Sequence, residues 1–443
     1  MLAILANRTY RHLIAAQVIA LVGTGLATVA LGLLAYDIAG DDAGAVLGTA
    51  LALKMIAYIG VAPVVGAYAD RLPRKALLVT MDVVRACVAL ALPFVDAVWQ
   101  VYVLIFVLQS ASAAFTPTFQ ATIPDVLPEE KDYTRALSLS RLAYDMESLV
   151  SPMLAAALLT VISFHWLFAG TSVGFVASAL LVVSVALPSH RSVAKVAEGA
   201  WLKTTRGLRI YLKTPRLVGL LAVTLAAAAA SAMVIVNTVV IVRGMGLTQS
   251  EVAITLAVYG GGSMTAALLL PRVLERIEDR TVMIFGSAVL TFAMLALSVI
   301  SFGMGGQDSE WPLLLGGWVV MGAAYALCVT PSGRLLRRSA SENDRPAVFA
   351  AQFALSHVCW LIAYPVAGQV GARVGMQATF ALLAAIAAAG AVLALWLWPA
   401  HDPDELVHEH DDLPPNHPHL AKHGRKHSHS FVIDDLHQHW PGQ

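Results

Sequence analysis

GAYADRLPRK, residues Gly66 to Lys75, is a short polar turn set between two long apolar runs. Gly44–Ala69 before it is apolar except for Lys54, and Ala76–Val98 after it is apolar except for Asp82, Arg85 and Asp96. A helix that crosses a bilayer needs about 20 apolar residues. The stretch therefore reads as the loop of a membrane hairpin, and it gathers Asp70, Arg71, Arg74 and Lys75. Composition agrees. The chain has 443 residues, of which 58% are hydrophobic and 13% charged, where soluble domains carry about 25% charged residues. With a mean hydropathy of +0.70, the chain is a polytopic membrane protein. Its three cysteines, Cys87, Cys328 and Cys359, lie in apolar stretches with no paired spacing and read as core residues. The apolar part of MLAILANRTYRH is too short for a cleavable leader, so none is expected.

Working outward, apolar runs of spanning length fall at Leu13–Tyr36, Gly44–Ala69, Ala76–Val98, Val101–Ile123, Thr134–Ile162 and Phe164–Leu187. After a polar interval come Leu217–Val242, Val252–Pro271, Thr281–Phe302, Pro312–Val329, Ala347–Val370 and Met376–Trp398. This predicts an all-α membrane protein of twelve transmembrane helices. Alternate loops are basic, carrying Arg8/Arg11, Arg71/Arg74/Lys75, Lys131/Arg135, Arg272/Arg276/Arg280 and Arg334/Arg337/Arg338/Arg345. The other loops hold only Arg243 and Arg373. Because Lys and Arg concentrate on the cytoplasmic side, both termini are expected in the cytoplasm. The expected organisation is a six-helix bundle over residues 1–187, a basic cytoplasmic linker over 188–216, a second six-helix bundle over 217–399, and a disordered cytoplasmic tail over 400–443.

The pattern G-x-x-x-D-R-x-x-R-K between the second and third spans is similar to the loop motif of the major facilitator superfamily of secondary transporters. The resemblance implies two bundles related by an axis along the membrane normal, with the substrate path between them. It also implies a conformational latch at Gly66, Asp70, Arg71, Arg74 and Lys75, which steadies one access state and parts in the other. Simple positive-inside charge is the alternative for Arg74 and Lys75. Asp82 and Arg85, one to two turns into the third span, extend the same charge cluster. A worn copy of the motif stands between the eighth and ninth spans. There Gly262, Arg272, Glu275, Arg276, Asp279 and Arg280 keep the charge alternation but lose the G-x-x-x-D-R spacing.

Ionisable groups inside spans are costly and usually functional. The fifth span, SRLAYDMESLVSPMLAA, carries Arg141, Asp145 and Glu147. Arg141 and Asp145 are four apart and share a helix face. For a helix starting near Thr134, Asp145 and Glu147 lie ~17–20 Å deep at 1.5 Å per residue. Lys54 is also roughly at mid-depth, where a pairing with Asp145 or Glu147 would neutralise both charges. Either the group is a static ion network, or Asp145 or Glu147 carries protons or binds a cation. In the second half, Asn237 with Met233 and His357 with Gln352 are the polar candidates. Together with the two carboxylates they could form a divalent-cation site of mixed hardness; the alternative for His357 is plain packing. Gln17, Thr24, Gln109 and Ser112 read as polar lining of a cavity.

Beyond Pro399 the composition changes, and most of the fourteen histidines lie there. Four H-x-H units recur: His408/His410, His417/His419, His427/His429 and His437/His439. In extended backbone, residues i and i+2 point the same way, so each unit can offer two imidazoles to one Ni, Co, Cu or Zn ion. Weak metal binding by the tail is expected, with no resident cofactor elsewhere. The closing segment FVIDDLHQHW, Phe431–Trp440, mixes apolar and acidic residues suited to docking on the cytoplasmic face. A His-rich tail on a twelve-span facilitator, together with RLAYDMESLVSP, resembles the nickel-resistance exporters of that superfamily.

No Walker loop and no hydrolase spacing is present, so the chain reads as a non-enzyme. The first functional reading is a proton-coupled exporter of a divalent metal ion, nickel or cobalt favoured. The second is an exporter of hydrophobic drugs or siderophore-like molecules. The third, a transport-incompetent metal or pH sensor, fits poorly with an intact latch motif. The expected setting is a multi-pass monomer in an inner membrane, with a small molecule or metal ion as substrate and no nucleic-acid partner.

Overall fold

The computed structural model describes residues 2–68, 73–187, 200–300, 307–341, 344–400, 402, 405–409, 426–434, 436–437 and 440. Within these, twelve α-helices reach 18 residues or more. The first six are α1 (Arg8–Ala39), α2 (Ala43–Tyr68), α3 (Arg74–Ala91), α4 (Val98–Val126), α5 (Glu130–Leu159) and α6 (His165–Val183). A shorter helix, α7 (Ala200–Lys213), lies in the linker. The second set comprises α8 (Pro215–Gly244), α9 (Gln249–Leu274), α10 (Asp279–Ser298) and α11 (Gln307–Val329). It continues through the short α12 (Ser332–Arg338) to α13 (Arg345–Arg373) and α14 (Met376–Leu397). Each long helix overlays one apolar run of the sequence. Among the described residues, ten stretches are long and apolar enough to cross a membrane, and the first, Arg8–Val61, covers α1 and most of α2.

The helices pack as two groups. In the first, α1 lies against α5 and α6, α2 against α4, and α3 against α4 and α6. In the second, α9 lies against α11, α8 against α13 and α14, and α10 against α11 and α14. In an apolar surrounding, small residues and cross-helix hydroxyl bonds hold helices together. Thr171 donates to the Gly23 carbonyl at 2.8 Å and Ser172 to the Ala86 carbonyl at 2.9 Å. The Trp318 indole donates to Thr238 at 2.9 Å. The Ala-rich α8 is the most enclosed, with Ala226–Ala230 fully buried.

The two groups meet through α2 with α13 and α5 with α9. The α2–α13 seam is tightest where α2 begins and α13 ends. A Cβ added to Gly48 would lie 2.5 Å from the Tyr364 carbonyl oxygen, and one on Gly368 would lie 2.2 Å from that of Gly44. Only glycine permits this approach. Gln369 spans the same seam, donating to Thr49 at 3.3 Å.

The ends of the two groups are built alike. Lys75, the second residue of α3, donates to the carbonyls of Val183 and Val185 at 2.8 and 2.7 Å. Arg280, the second residue of α10, donates to those of Trp398 and Leu395 at 3.0 and 3.2 Å. Each is a cation placed on the carbonyl end of the last helix of its own group, where the helix dipole favours it. The first residues also correspond, with opposite charge. Arg74 pairs with Asp125, whereas Asp279 accepts two bonds from Arg334, at 2.6 and 3.1 Å. Counting back from these helix starts places Glu275–Arg276 at the positions of Asp70–Arg71. The second copy of the motif therefore keeps the acid–arginine spacing but has Pro271 at the position of the glycine and Asp279 at that of Arg74. Gly262 serves elsewhere: it lies in α9 against the Val319 carbonyl of α11.

The tail is structured where it is described, against the expectation of disorder over 400–443. β1 (Glu405–Glu409) pairs antiparallel with β2 (Lys426–Ser430). Phe431, Ile433 and Trp440 are buried and belong to the main apolar core, which runs through both groups. Burial of three large side chains offsets the ordering entropy that a polar tail could not. Arg216, itself 1% exposed, lies over the Trp440 ring at 4.8 Å and donates to the Phe431 carbonyl at 3.4 Å. Asp402 accepts from the Trp398 indole at 3.3 Å and pairs with Arg216 and Arg338. The apolar residues of FVIDDLHQHW thus carry the docking, and they are held by basic residues at helix ends.

Candidate functional site

Of the residues marked by sequence, Lys54, Glu147 and His357 converge. Each stands near the middle of its helix, on α2, α5 and α13 respectively. Lys54 is within electrostatic reach of both Glu147 and His357. Glu147 is set against α1, since a Cβ on Gly25 would lie 3.5 Å from its Cγ. One turn beyond Lys54, Tyr58 stacks on the His357 ring, with centroids 5.1 Å apart and planes 16° from parallel. Phe353 closes the group at 4.1 Å from His357 and 5.9 Å from Tyr58. His357 Nδ1 bonds the Phe353 carbonyl at 2.6 Å. Phe353 and His357 lie on the same stripe of α13 as Tyr364 and Gly368, the stripe that faces α2.

One basic group therefore stands within electrostatic reach of a carboxylate of the first half and an imidazole of the second. Phe353 is 39% exposed and Lys54, Glu147 and His357 are only half-buried. Of the two acids considered as partners for Lys54, Glu147 lies within its electrostatic reach. Tyr58 and Phe353 were missed by sequence, because aromatic residues in apolar runs give no signal of facing one another.

Other expected members are elsewhere. Arg141 and Asp145 lie in α5, with side chains outside the described residues. Asn237 and Met233 are joined to each other, Asn237 Nδ2 donating to Met233 Sδ at 3.3 Å and to the Ala367 carbonyl at 3.0 Å. The Asn237 Oδ1 has no hydrogen-bond donor among the described residues, and it sits beside Gly44 and Gly371 in the closed seam. Gly44 and Lys54 are ten residues apart on α2, about 15 Å at the helical rise. A single mixed site of Met233, Asn237, His357 and Glu147 is excluded by that distance. Gln352 accepts from the Tyr211 hydroxyl of α7. Gln17, Thr24, Gln109 and Ser112 are buried rather than cavity-lining; Gln17, for example, accepts from Ser140 at 3.0 Å.

The latch residues divide. Asp70 and Arg71 lie outside the described residues, and Gly66 is placed only as part of α2. Arg74 and Lys75 bind Asp125 and the α6 carbonyls, partners within their own half. Asp82 and Arg85 do not extend that cluster. They pair with each other inside the first half, where Ser178 donates to Asp82 at 2.7 Å. The Arg85 guanidinium lies between the Phe115 and Phe175 rings at 4.3 and 4.5 Å.

Of the tail histidines, His410, His417, His419 and His439 lie outside the described residues, and His408 and His429 are placed only as strand positions. His427 is half-buried in β2. His437 is buried, bonding Asp434 at 2.9 Å and meeting the Phe431 ring edge-on at 4.8 Å. It therefore takes part in the docked turn. Among the described residues, no three His, Cys, Asp or Glu side chains converge as a metal site. A charged cleft of about 380 Å³ opens beside Arg276, Glu278, Arg280 and Arg334. It lies at helix ends, and its alternating acids and arginines cancel.

Comparison with known proteins agrees with this geometry. The chain is 23% identical over 331 residues to an uncharacterised MFS-type transporter, YfiS, of Bacillus subtilis (strain 168), covering 72% of this chain and 76% of that one. It is 28% identical over 152 residues to macrolide efflux protein A of Enterococcus faecalis, which is 32% of this chain and 47% of that one. The fold matches the crystal structure of a D-xylose-proton symporter with a TM-score of 0.65 at 15% identity, over 88% of this chain and 97% of the symporter. It matches the nucleoside transporter NupG equally well, with a TM-score of 0.65 at 14% identity, over 88% and 98% of the two chains. The Major Facilitator Superfamily profile matches residues 13–304 and again 219–428, and the chain belongs to that family of membrane transporters.

Proposed function

We propose that the chain is a proton-coupled exporter of amphipathic organic molecules, working by alternating access between its two halves. The observation that carries this reading is the reach of Lys54 to Glu147 in one half and His357 in the other. A carboxylate that gains or loses a proton at mid-depth changes the charge balance at the seam, and any group that differs between two access states biases their populations. Glu147 carries the proton, Lys54 is its counter-charge, and cargo passes beside Tyr58, Phe353 and His357. An aromatic rim suits an amphipathic molecule, whereas the Lys54 ammonium opposes a bare divalent ion. The likeness to macrolide efflux proteins supports both export and an organic cargo. In this reading all twelve long helices span an inner membrane, both termini are cytoplasmic, and Asp70 with Arg71 provides the latch. Nickel or cobalt export is the second reading, favoured by the histidine-bearing strands of the tail.

The test uses inverted membrane vesicles with an imposed pH gradient. A fluorescent macrolide should accumulate with wild-type protein, and Glu147→Gln should abolish the gradient-driven part while leaving cargo exchange at equilibrium. Gradient-driven accumulation undiminished in Glu147→Gln removes the coupling role. Accumulation of radioactive nickel but no organic cargo in the same vesicles replaces the first reading by the second.

A further inference from the structure

In the antiparallel ladder of the tail, Leu406 stands opposite His429 and His408 opposite His427. Directly opposed residues share one face of a ladder, as do residues i and i+2 of one strand. Positions 406, 408, 427 and 429 therefore occupy one face, and 405, 407, 409, 426 and 428 the other. Exposure follows this division. Glu405, Val407, Glu409, Lys426 and Ser428 are exposed, whereas Leu406 and His427 are half-buried. Leu406 packs against the main apolar core. Three histidine positions, drawn from two H-x-H units far apart in sequence, thus come together on the sheltered face.

Opposed positions have Cβ atoms about 4.5–5.5 Å apart and diagonal ones about 7–8 Å, spacings that imidazoles on one ion at about 2.0–2.1 Å can bridge. An i, i+2 pair on one strand with an opposed residue on the next supplies three nitrogens from one side. Neutral imidazole suits zinc, nickel, cobalt and copper. We propose that this face is a divalent transition-metal site formed by His408, His427 and His429, and that it exists only when the hairpin is formed. β1 follows α14 and β2 leads into the docked segment ending at Trp440, so a bound ion ties the helical body to the docked end. The site is independent of what the transporter carries.

The test is a Co²⁺ titration of the purified full-length protein in detergent, read by visible absorption and by bound metal per chain. His408→Ala and His427→Ala should each remove one and the same site, so the double variant loses no more than either alone. Leu406→Pro with Val407→Pro keeps every histidine, but one of two consecutive prolines must remove a ladder N–H; it should remove the site too. His417→Ala with His419→Ala should leave the site intact. Losses at His408 and His427 that add, a site that survives the double proline, or no Co²⁺ bound by the wild type would each overturn the proposal.

Discussion

Gly48→Ala is the most direct challenge to the idea that the α2–α13 seam is a closed gate between the halves. The added methyl would lie 2.5 Å from the Tyr364 carbonyl oxygen, a backbone atom that cannot move away by changing rotamer. Overpacking of this kind costs about 1–3 kcal/mol. The cost falls on the state in which α2 and α13 touch and not on one in which they part. A bias of about 1–3 kcal/mol shifts a two-state equilibrium roughly 5–150-fold. Gly368→Ala, 2.2 Å from the Gly44 carbonyl oxygen, should act in the same direction. The assay is double electron–electron resonance between spin labels at Asp42→Cys and Arg373→Cys, exposed positions on either side of the seam, with the exposed Cys87 replaced by serine. The parent should show a short distance, and each alanine variant a longer population that dominates. If both variants retain the parent distribution while remaining folded, the seam is not a gate and its tight packing is fixed in every state.

Two further outcomes follow from the ends of the helices. Arg334→Ala should lower the thermal midpoint in detergent, with a cost of about 1–2 kcal/mol once the half-exposed arginine is discounted for solvent screening. Asp279→Arg with Arg334→Asp should regain most of it by recreating the charge order of Arg74 and Asp125; a reversal no better than Arg334→Ala would show that charge order here is fixed by other neighbours. In the tail, burial pushes the Asp434 carboxyl up, but bonds from the His437 side chain and backbone and from Leu436 outweigh it, holding the group below its ordinary 3.8. A depressed carboxyl stabilises the docked turn above its unfolded value, and this contribution is lost as pH falls through the folded value. Hydrogen exchange of residues 426–440 should therefore stay protected from pH 7 to 5 and speed up below about pH 4. Asp434→Asn should remove that step, and an unchanged step would assign it to another group.

Much of the architecture is legible along the chain, because a bilayer imposes a length and composition on every helix that crosses it. The twelve runs, the break between two sets of six, and the basic loops need no tertiary information. The place of Lys54 and Glu147 near the middle of their helices is equally readable, since rise per residue converts sequence distance into distance along a helix. The histidine spacing announces a tail unlike the rest. What contact decides could not be read in this way. Tyr58 and Phe353 matter because α2 and α13 oppose each other at those turns. Asn237 belongs to the seam because Gly44 and Gly371 surround its amide. The correspondence of Lys75 with Arg280 emerges only once both helices are seen to start beside the carbonyl end of their last partner. His408 and His427 share a face only through a strand register that the H-x-H pattern does not contain. Hydropathy and helical rise fix which stretches form long apolar helices and where a residue stands along them; which residues meet depends on packing between helices distant in sequence.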